Sequence, residues 1–373
     1  MKTEKLIVLI IIAAVLCVGA VMVYQSRNTA SRVKKIEGAS AGDMLLPELK
    51  NSVEAVARIE IIDDEGSLII ARSDDNEWIL ENRDNYPVDS TKINKLFVDL
   101  TDIRIGDRLT DKKEKYENFG LAGERGSAGT IIIRNKSGRE IVSLLIGEER
   151  KPQESNPDMM MGPGGQFFLR GNDPAVYLAS AALYWINPRT SSWVNTNVMS
   201  LSSNDIMTVS VDHNSTETFT MSWKDGKPVM TDLESGMELK MPAVSALKSA
   251  PASLYLNDVI GAESEKAKGL NFDTVFSTNL KDGTCYIIRL TRDEEKYYMA
   301  LSAVYDEPYI TDEDQASTAT LAAVEEKASK AREAVPDFNK KHSAWIYEIM
   351  QWNYEKLAKK RSEFIQEAAV KEE

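Results

Sequence analysis

Residues 56–80 read VARIEIIDDEGSLIIARSDDNEWIL, and this stretch decides the fold. Aliphatic and β-branched side chains dominate three short runs, at residues 56–62, 68–72 and 78–80. Runs of this kind, bounded by turns rich in Asp and Gly, are typical of β-strands. With the turn at Asp64-Glu65-Gly66 between the first two, the stretch predicts a three-stranded meander.

A helix and a hairpin are predicted after the meander. Asp89 or Ser90 can cap a helix whose apolar positions, Ile93, Leu96 and Leu100 among them, recur at helical spacing. The tetrapeptide Asn135-Lys136-Ser137-Gly138 separates two further strand-like runs, which is a strong hairpin signal. Short strands are also predicted over residues 103–109, 167–170 and 176–179, and a short aromatic helix around residues 183–185.

The same features then recur in the same order. Residues 206–232 repeat the meander, and a helix through Val244 and Leu247, a strand at 254–259 and a hairpin at 274–291 follow. The sequence therefore predicts an α+β fold with two tandem copies of a mostly antiparallel meander, helix and hairpin unit. The copies occupy residues 51–198 and 199–373.

The second copy carries additional helical sequence near its end. Residues from about 311 to 335 are rich in Ala, Glu and Lys, which favour helices, and Pro336 is expected to stop this helical insertion. The strand-like run at 345–349 follows. A C-terminal helix is predicted from about residue 351 to 367.

The N-terminal 27 residues predict a membrane anchor. Residues 6–24 contain no charged side chain, and a helix over them would span about 28 Å, close to the hydrocarbon thickness of a bilayer. Residues 28–50 form a polar stalk that separates the anchor from the body. The anchor side chains include Leu6, Ile10, Leu16, Val21 and Tyr24.

Two arguments about the side of the membrane disagree. Four basic residues follow the apolar run and only two precede it, which by the positive-inside rule favours a cytoplasmic body. A single N-terminal segment before a soluble domain is the usual signal-anchor arrangement, and large domains cross largely regardless of charge. We therefore expect a single-pass protein of the bacterial inner membrane with its body on the extracytoplasmic, periplasmic side.

Composition excludes several function classes. The net charge of −13 argues against nucleic acid and against an anionic lipid surface as partners. The two histidines, His213 and His342, lie far apart without a metal-ligand pattern, and each is expected at a surface or strand edge. The sequence has neither a phosphate-binding Gly-Lys-Ser/Thr loop nor a dinucleotide-binding Gly-x-Gly-x-x-Gly motif. We therefore predict no catalytic residue, no cofactor and no metal site, and expect that the protein is not an enzyme.

The most unusual loop has the sequence Met159-Met160-Met161-Gly162-Pro163. Three consecutive thioethers could form an adaptable apolar contact with a partner or with the membrane surface. A plain flexible loop is the main alternative. Copper(I) binding is a third, although copper sites usually have spaced ligands. We retain Met159, Met160, Met161 and Pro163 as a candidate partner-contact loop.

Several of these motifs together resemble the bacterial domain-of-unknown-function family 4340. The resemblance lies in Trp78-Ile79-Leu80, in Tyr86-Pro87-Val88-Asp89 before a helix, and in Phe119-Gly120-Leu121. It continues with Ile146-Gly147, Val176-Tyr177 and the terminal Trp345-Ile346-Tyr347-Glu348-Ile349. It covers most of the chain from about residue 50 onward. The Met-rich loop and the long helix after residue 311 are not part of the family pattern.

The resemblance implies a context and no chemistry. Members resemble N-terminally anchored envelope proteins whose genes commonly lie beside those of a gliding-motility-type ABC transporter. It therefore implies an auxiliary subunit whose partners are the transporter's permease and ATPase, with the bilayer holding the N-terminal helix. The motifs carry no catalytic residue over to this chain.

Two function classes remain open from the sequence. The first is a non-catalytic interaction subunit that docks on the extracytoplasmic side of such a transporter. The second is a binding protein for an envelope polymer or another ligand, or an enzyme acting on one, with its site in a cleft between the two copies.

Overall fold

The computed structural model describes residues 39–123, 125–150, 165–171, 173–179, 182–214, 217–224, 226–310 and 318–368. The predicted anchor and residues 28–38 of the predicted stalk lie outside these ranges, whereas residues 39–50 are described and bury Leu45, Leu46 and Leu49. Within them, no helix is both long and apolar enough to cross a membrane. The α-helices are α1 (Pro47–Lys50), α2 (Ser90–Asp102), α3 (Met241–Ser249), α4 (Glu265–Lys268), α5 (Thr318–His342) and α6 (Gln351–Leu357).

The first large sheet is built from the N-terminal half of the body. Its nine strands lie in the order β4-β3-β2-β1-β6-β7-β8-β9-β5, and all neighbours are antiparallel. The strands are β1 (Val56–Asp63), β2 (Gly66–Arg72), β3 (Trp78–Leu80), β4 (Tyr86–Pro87), β5 (Ile105–Thr110), β6 (Gly129–Asn135), β7 (Glu140–Glu149), β8 (Gln166–Arg170) and β9 (Val176–Ala179).

The second large sheet has eight antiparallel strands in the order β13-β12-β11-β17-β18-β19-β20-β16. β10 (Asn197–Ser200) pairs with β15 (Ser253–Tyr255), and β14 (Met237–Leu239) pairs with β21 (Ile365–Glu367). The eight strands are β11 (Ile206–Asp212), β12 (Thr218–Lys224), β13 (Lys227–Met230), β16 (Asp258–Gly261), β17 (Thr274–Leu280), β18 (Thr284–Asp293), β19 (Lys296–Tyr305) and β20 (Trp345–Ile349).

The two large sheets have the same strand order. When strands are matched along the chain, β3-β2-β1-β6-β7-β8-β9-β5 corresponds position by position to β13-β12-β11-β17-β18-β19-β20-β16. The copies differ at one edge, because β4 belongs to the first sheet whereas β14 pairs only with β21. The predicted α+β class with mostly antiparallel strands is confirmed.

Local sequence explains the first meander. Ile59 and Ile61 of β1 alternate with more exposed residues, so one face of the strand is buried. Asp63 lies opposite Gly66, and the Asp63 carboxylate accepts hydrogen bonds from the backbone N–H of Glu65 and of Gly66. This carboxylate fixes the turn between β1 and β2.

One hydrophobic core contains residues of both large sheets. Helix α2 begins after Asp89, whose carboxylate accepts from the N–H of Thr91, and it buries Ile93, Leu96 and Leu100. Helix α3 buries Val244 and Leu247 in the same cluster of contacting side chains. The two halves are therefore joined by apolar packing and do not form separate cores.

Helix α5 continues through Pro336, so the predicted stop at this residue is wrong. Pro336 has no N–H to donate to the Arg332 carbonyl. Because Pro336 lies on the exposed side of the helix, water can bind that carbonyl instead. Beyond the proline, Phe338 packs edge-on against Tyr286 with ring centroids 5.0 Å apart, and Nδ1 of His342 is hydrogen-bonded to the hydroxyl of Tyr347. Contacts with the sheet thus stabilise the extra helical residues.

The predicted C-terminal helix over about 351–367 is too long. Helix α6 ends at Leu357, and residues 365–367 form β21 instead. Between them Phe364 is fully buried and stacks on Phe219 at 5.1 Å, which requires the chain to turn back. The predicted aromatic helix around residues 183–185 is a turn.

Candidate functional site at the junction of the sheets

The motifs at residues 86–89 and 345–349 meet at the junction of the two halves. The ring of Tyr86 in β4 lies edge-on to Trp345 of β20, with centroids 5.0 Å apart, and near Tyr347 at 6.4 Å. Both motifs therefore have a structural role, because they join the first sheet to the second.

A buried chain of polar groups runs through this contact. The hydroxyl of Tyr347 lies 2.7 Å from Nδ1 of His342, and the ring of Tyr347 packs edge-on against the ring of Tyr86. Burial lowers the pKa of His342 to about 4 and raises the pKa of Tyr86 to about 12. Burial also raises the pKa of Tyr347. All three groups are thus neutral near pH 7, and His342 is 2% exposed, in contrast to its predicted surface position.

The turn after β3 docks on β16 of the second half. The Nε of Arg83 donates to Oδ1 of Asp258 at 2.7 Å, and the backbone N–H of Gly261 donates to Oδ2 of Asp84 at 2.7 Å. Asp84 has a left-handed backbone conformation, with a φ of 51°, and its side chain reaches across the junction. A Cβ at Gly261 would lie 2.9 Å from the Cβ of Asp84, so this approach requires glycine.

A cleft of about 450 Å³ opens beside this contact, and we call it the seam cleft. Its walls come from the β1–β2 turn, from the segment between the halves, and from β16, β19 and β20. Its lining residues are Glu65, Gly66, Ser67, Arg83, Pro188, Arg189, Thr190, Asn257, Asp258, Lys296, Glu348 and Met350.

Three ion pairs line the seam cleft. Besides Arg83 with Asp258, Lys296 contacts Glu348 at 2.7 Å, and Arg189 donates from Nε and Nη2 to the two oxygens of Glu65 at 2.7 and 2.6 Å. The hydrogen bond that Lys296 donates to Glu348 raises the pKa of Lys296, which therefore stays protonated. The cleft thus combines three carboxylates with three cations.

Asp258 and Glu348 lie directly opposite each other on β16 and β20. Side chains of directly paired residues lie on the same face of a sheet, and like charges there repel. Each carboxylate is balanced by one cation through one oxygen, Oδ1 of Asp258 and Oε2 of Glu348. Across the described residues, no hydrogen bond reaches Oδ2 of Asp258 or Oε1 of Glu348. Two acceptor atoms are therefore available at this wall.

Two further cavities lie elsewhere in the described part of the chain. A groove of about 520 Å³ lies between α5 and the β17–β18 turn, lined by Tyr286, Val324, Ala331 and Val335 among others. A cavity of about 370 Å³ lies at Tyr86, Asp89, Asn195 and Trp345. In the seam cleft, both members of three ion pairs line the wall.

The site residues predicted from sequence all lie outside the described ranges. These are the anchor residues Leu6, Ile10, Leu16, Val21 and Tyr24 and the loop residues Met159, Met160, Met161 and Pro163. The loop leaves after Arg150 and returns at Gly165, whose carbonyl accepts from the Arg150 N–H at 2.7 Å. In the part of the chain that is described, no group of three or more His, Cys, Asp or Glu could hold a metal ion.

Sequence reasoning missed the residues of the seam cleft. Residues 254–259 were predicted as one strand, whereas β15 ends at Tyr255 and β16 begins at Asp258. One signal was present, since Glu348 is the only charged residue of the apolar run at 345–349. A charge inside a buried strand requires a partner, and here the partner is Lys296.

These features define an α+β protein of two antiparallel sheets that share one core and meet at a polar junction. The chain belongs to the DUF4340 family, a domain of unknown function, whose model matches residues 78–272, just over half of the chain. The matched range crosses the junction, while the motif at 345–349 lies beyond it. No curated protein and no solved structure matches the chain.

Proposed function

We propose that the protein is a non-catalytic, membrane-anchored auxiliary subunit of an ABC-type transporter, of the gliding-motility type by family resemblance. An N-terminal helix within residues 1–27 holds it in the bacterial inner membrane. Two tandem copies of one α+β unit form the body on the periplasmic side, and that body contacts the permease and, through it, the ATPase.

The observation that carries this proposal is the way the halves are joined. The shared core, the Tyr86–Trp345 contact and the Asp84–Gly261 hydrogen bond make relative movement of the halves costly. A rigid body suits a subunit that acts through its surface, because little conformational entropy is lost on binding. Two motifs of the family resemblance, at residues 86–89 and 345–349, also meet at this junction, which supports a role in architecture.

Recovery of partners from membranes tests this function. The tagged full-length protein, extracted in a mild detergent, is expected to bring down a permease and an ATPase. Recovery of the protein alone, at several detergent concentrations, would contradict the proposal.

The Met159–Met161 loop is our proposed contact element in the complex. Replacing its three methionines by serine is expected to reduce permease recovery severalfold, since the apolar contact is lost. The matched control changes an exposed turn of the same half, Lys136→Ser between β6 and β7, and should leave recovery unchanged. Equal recovery with both variants would remove the loop from the interface.

A second candidate function is ligand binding at the seam cleft. It is favoured by the two available carboxylate oxygens, on Asp258 and Glu348, in a cleft between the halves. Ligand sites commonly lie at such junctions. The two functions are compatible, because a transporter subunit can bind the envelope component with which it works.

A further inference from the structure

We infer that the seam cleft binds an uncharged, hydroxyl-rich ligand, a segment of a neutral glycan. This inference rests on the second proposed function and specifies the class of its ligand. The volume of about 450 Å³ lies within the range of about 300–1,000 Å³ typical of small-molecule sites.

The charge balance of the cleft selects against charged ligands. Its three carboxylates and three cations are combined in pairs within the wall, so no net charge remains for an ionic ligand to neutralise. A charged ligand would lose hydration without gaining a counter-charge, and it would repel one member of each pair. A hydroxyl-rich neutral ligand meets neither penalty.

The polar atoms that remain available suit hydroxyl groups. Oδ2 of Asp258 and Oε1 of Glu348 are acceptors, and a sugar hydroxyl can donate to either. Arg83 uses Nε for Asp258 and Nη1 for the Asn82 carbonyl, which leaves Nη2 as a donor. A hydroxyl group both donates and accepts, so one sugar ring can satisfy a carboxylate and the neighbouring guanidinium together.

The ion pairs also hold these groups in place before a ligand arrives. The carboxylate of Asp258 is fixed by Arg83 and by the hydroxyl of Thr190, and the exposed fraction of the Glu348 side chain is only 14%. Preorganised partners lose little side-chain entropy on binding. Planar side chains with fixed orientation can therefore distinguish one arrangement of hydroxyls from another.

Exposed apolar side chains follow or precede the lining residues in the sequence. Met350 lines the cleft and is 53% exposed, and two residues further on Trp352 in α6 is also 53% exposed. On the adjacent segment Tyr255, which is 41% exposed, lies two residues before the cleft residue Asn257. Two residues of chain span at most about 7 Å, roughly the length of one sugar ring, so both aromatic residues lie near the cleft. Aromatic faces suit the apolar C–H face of such rings.

Binding of defined tetrasaccharides to the full-length protein in lipid nanodiscs tests the inference. Nanodiscs avoid glycoside detergents, which would compete for a sugar site. The probes are neutral cellotetraose, maltotetraose and N-acetylglucosamine tetramer, with cationic glucosamine tetramer and anionic tetragalacturonate as charged counterparts. Calorimetry gives the affinity, and hydrogen exchange of residues 257–261 and 345–350 locates the binding.

The variants separate ligand contact from folding. Glu348→Gln and Asn257→Ala are each expected to weaken binding of a neutral tetrasaccharide at least fivefold. The matched control, Glu265→Gln, changes a fully exposed glutamate on α4 and should bind as the unmodified protein does. Trp352→Ala should weaken binding of the tetrasaccharide more than that of the corresponding disaccharide, and it tests the site without touching the ion pairs.

The outcomes distinguish the ligand class from the function. Binding of one neutral probe, lost in Glu348→Gln and accompanied by protection of residues 257–261, supports the inference. Preferential binding of a charged probe at the same residues would overturn the glycan assignment and leave ligand binding at the seam in place. Failure of every probe at 10 mM, or binding that Glu348→Gln and Asn257→Ala leave unchanged, would overturn both.

Discussion

The side-chain amide of Asn339 pairs with the main chain of Ala303 in both directions. Its Nδ2 donates to the Ala303 carbonyl and its Oδ1 accepts from the Ala303 N–H, each at 2.8 Å. Strand β20 pairs only with residues 297–299 of β19, so the far part of β19 lacks a neighbouring strand on that side. Asn339 supplies from helix α5 the two hydrogen bonds that a longer strand would have supplied.

Asn339→Ala is expected to lower the free energy of unfolding by about 2–3 kcal/mol. Ala303 is buried, and two main-chain groups would lose their partners at once. Chemical denaturation measures the loss. Lys340→Ala, at the next and exposed position of the helix, is the control and should change the value by less than about 0.5 kcal/mol. A loss of the same size in both variants would assign the effect to the helix as a whole.

Lowering the pH should reduce the free energy of unfolding, because unfolding allows His342 to be protonated. Its pKa is lowered to about 4 in the folded protein, against about 6.5 in the unfolded chain. Between these values the unfolded chain binds a proton that the folded protein excludes, so the free energy of unfolding falls as pH falls from about 6.5 to 4. The contribution is at most about 3 kcal/mol.

The variant His342→Gln isolates this contribution from the other titrating groups. It should be less stable at pH 7, and its stability should fall less steeply than that of the unmodified protein between pH 6.5 and 4. Urea titrations at half-unit steps of pH give both slopes. Parallel slopes would show that His342 is accessible to protons in the folded state.

Gly261→Ala should destabilise the protein by about 1–3 kcal/mol, because the new Cβ meets Asp84 at 2.9 Å. Displacement of Asp84 should also increase the hydrogen-exchange rate of the N–H at position 261, which donates to Asp84. Gly269→Ala is the matched control, since its φ is −81° and the nearest atom lies at 3.5 Å. This control should be unchanged or up to about 1 kcal/mol more stable. Equal stability of the two variants would mean that the junction accommodates the added methyl group without cost.

Tyr347→Phe should cost about 1–3 kcal/mol, because Nδ1 of His342 loses its buried hydrogen-bond partner. Combined with Tyr86→Phe, the loss should be smaller than the sum of the single losses, since the two side chains are in contact. Tyr184→Phe, at a 74% exposed position, is the control for removing a hydroxyl. Simple additivity of the two buried changes would place the hydroxyls in separate interactions.

A reporter at the C-terminus tests the proposed side of the membrane. Alkaline phosphatase fused after Glu373 is expected to be active, because the enzyme folds only in an oxidising compartment. Green fluorescent protein at the same position should stay dark when exported by the same route. After deletion of residues 1–27, the phosphatase fusion should be inactive and the green fluorescent protein fusion should be fluorescent. Fluorescence of the intact fusion without phosphatase activity would place the body in the cytoplasm.

Local sequence signals predicted the strands and missed how the halves meet. The meander, the hairpin at 135–138 and the helix after Asp89 follow from periodicity and turn residues, which act over a few positions. The predicted helix stop at Pro336 was wrong because the free-energy cost of a proline within a helix depends on whether the proline faces water. The pairing of Asp258 with Arg83, 175 positions apart in sequence, depends on how two sheets pack, and no short-range pattern encodes that distance.

The shared core also makes each half of the body depend on the other. Each copy of the unit buries part of the surface of the other, so neither copy can be lost without exposing an apolar face. A relative with one copy would have to pair with itself through the equivalent face, as a symmetric dimer. The two halves can therefore differ at their edges, as they do at β4, while each constrains the face that packs against the other.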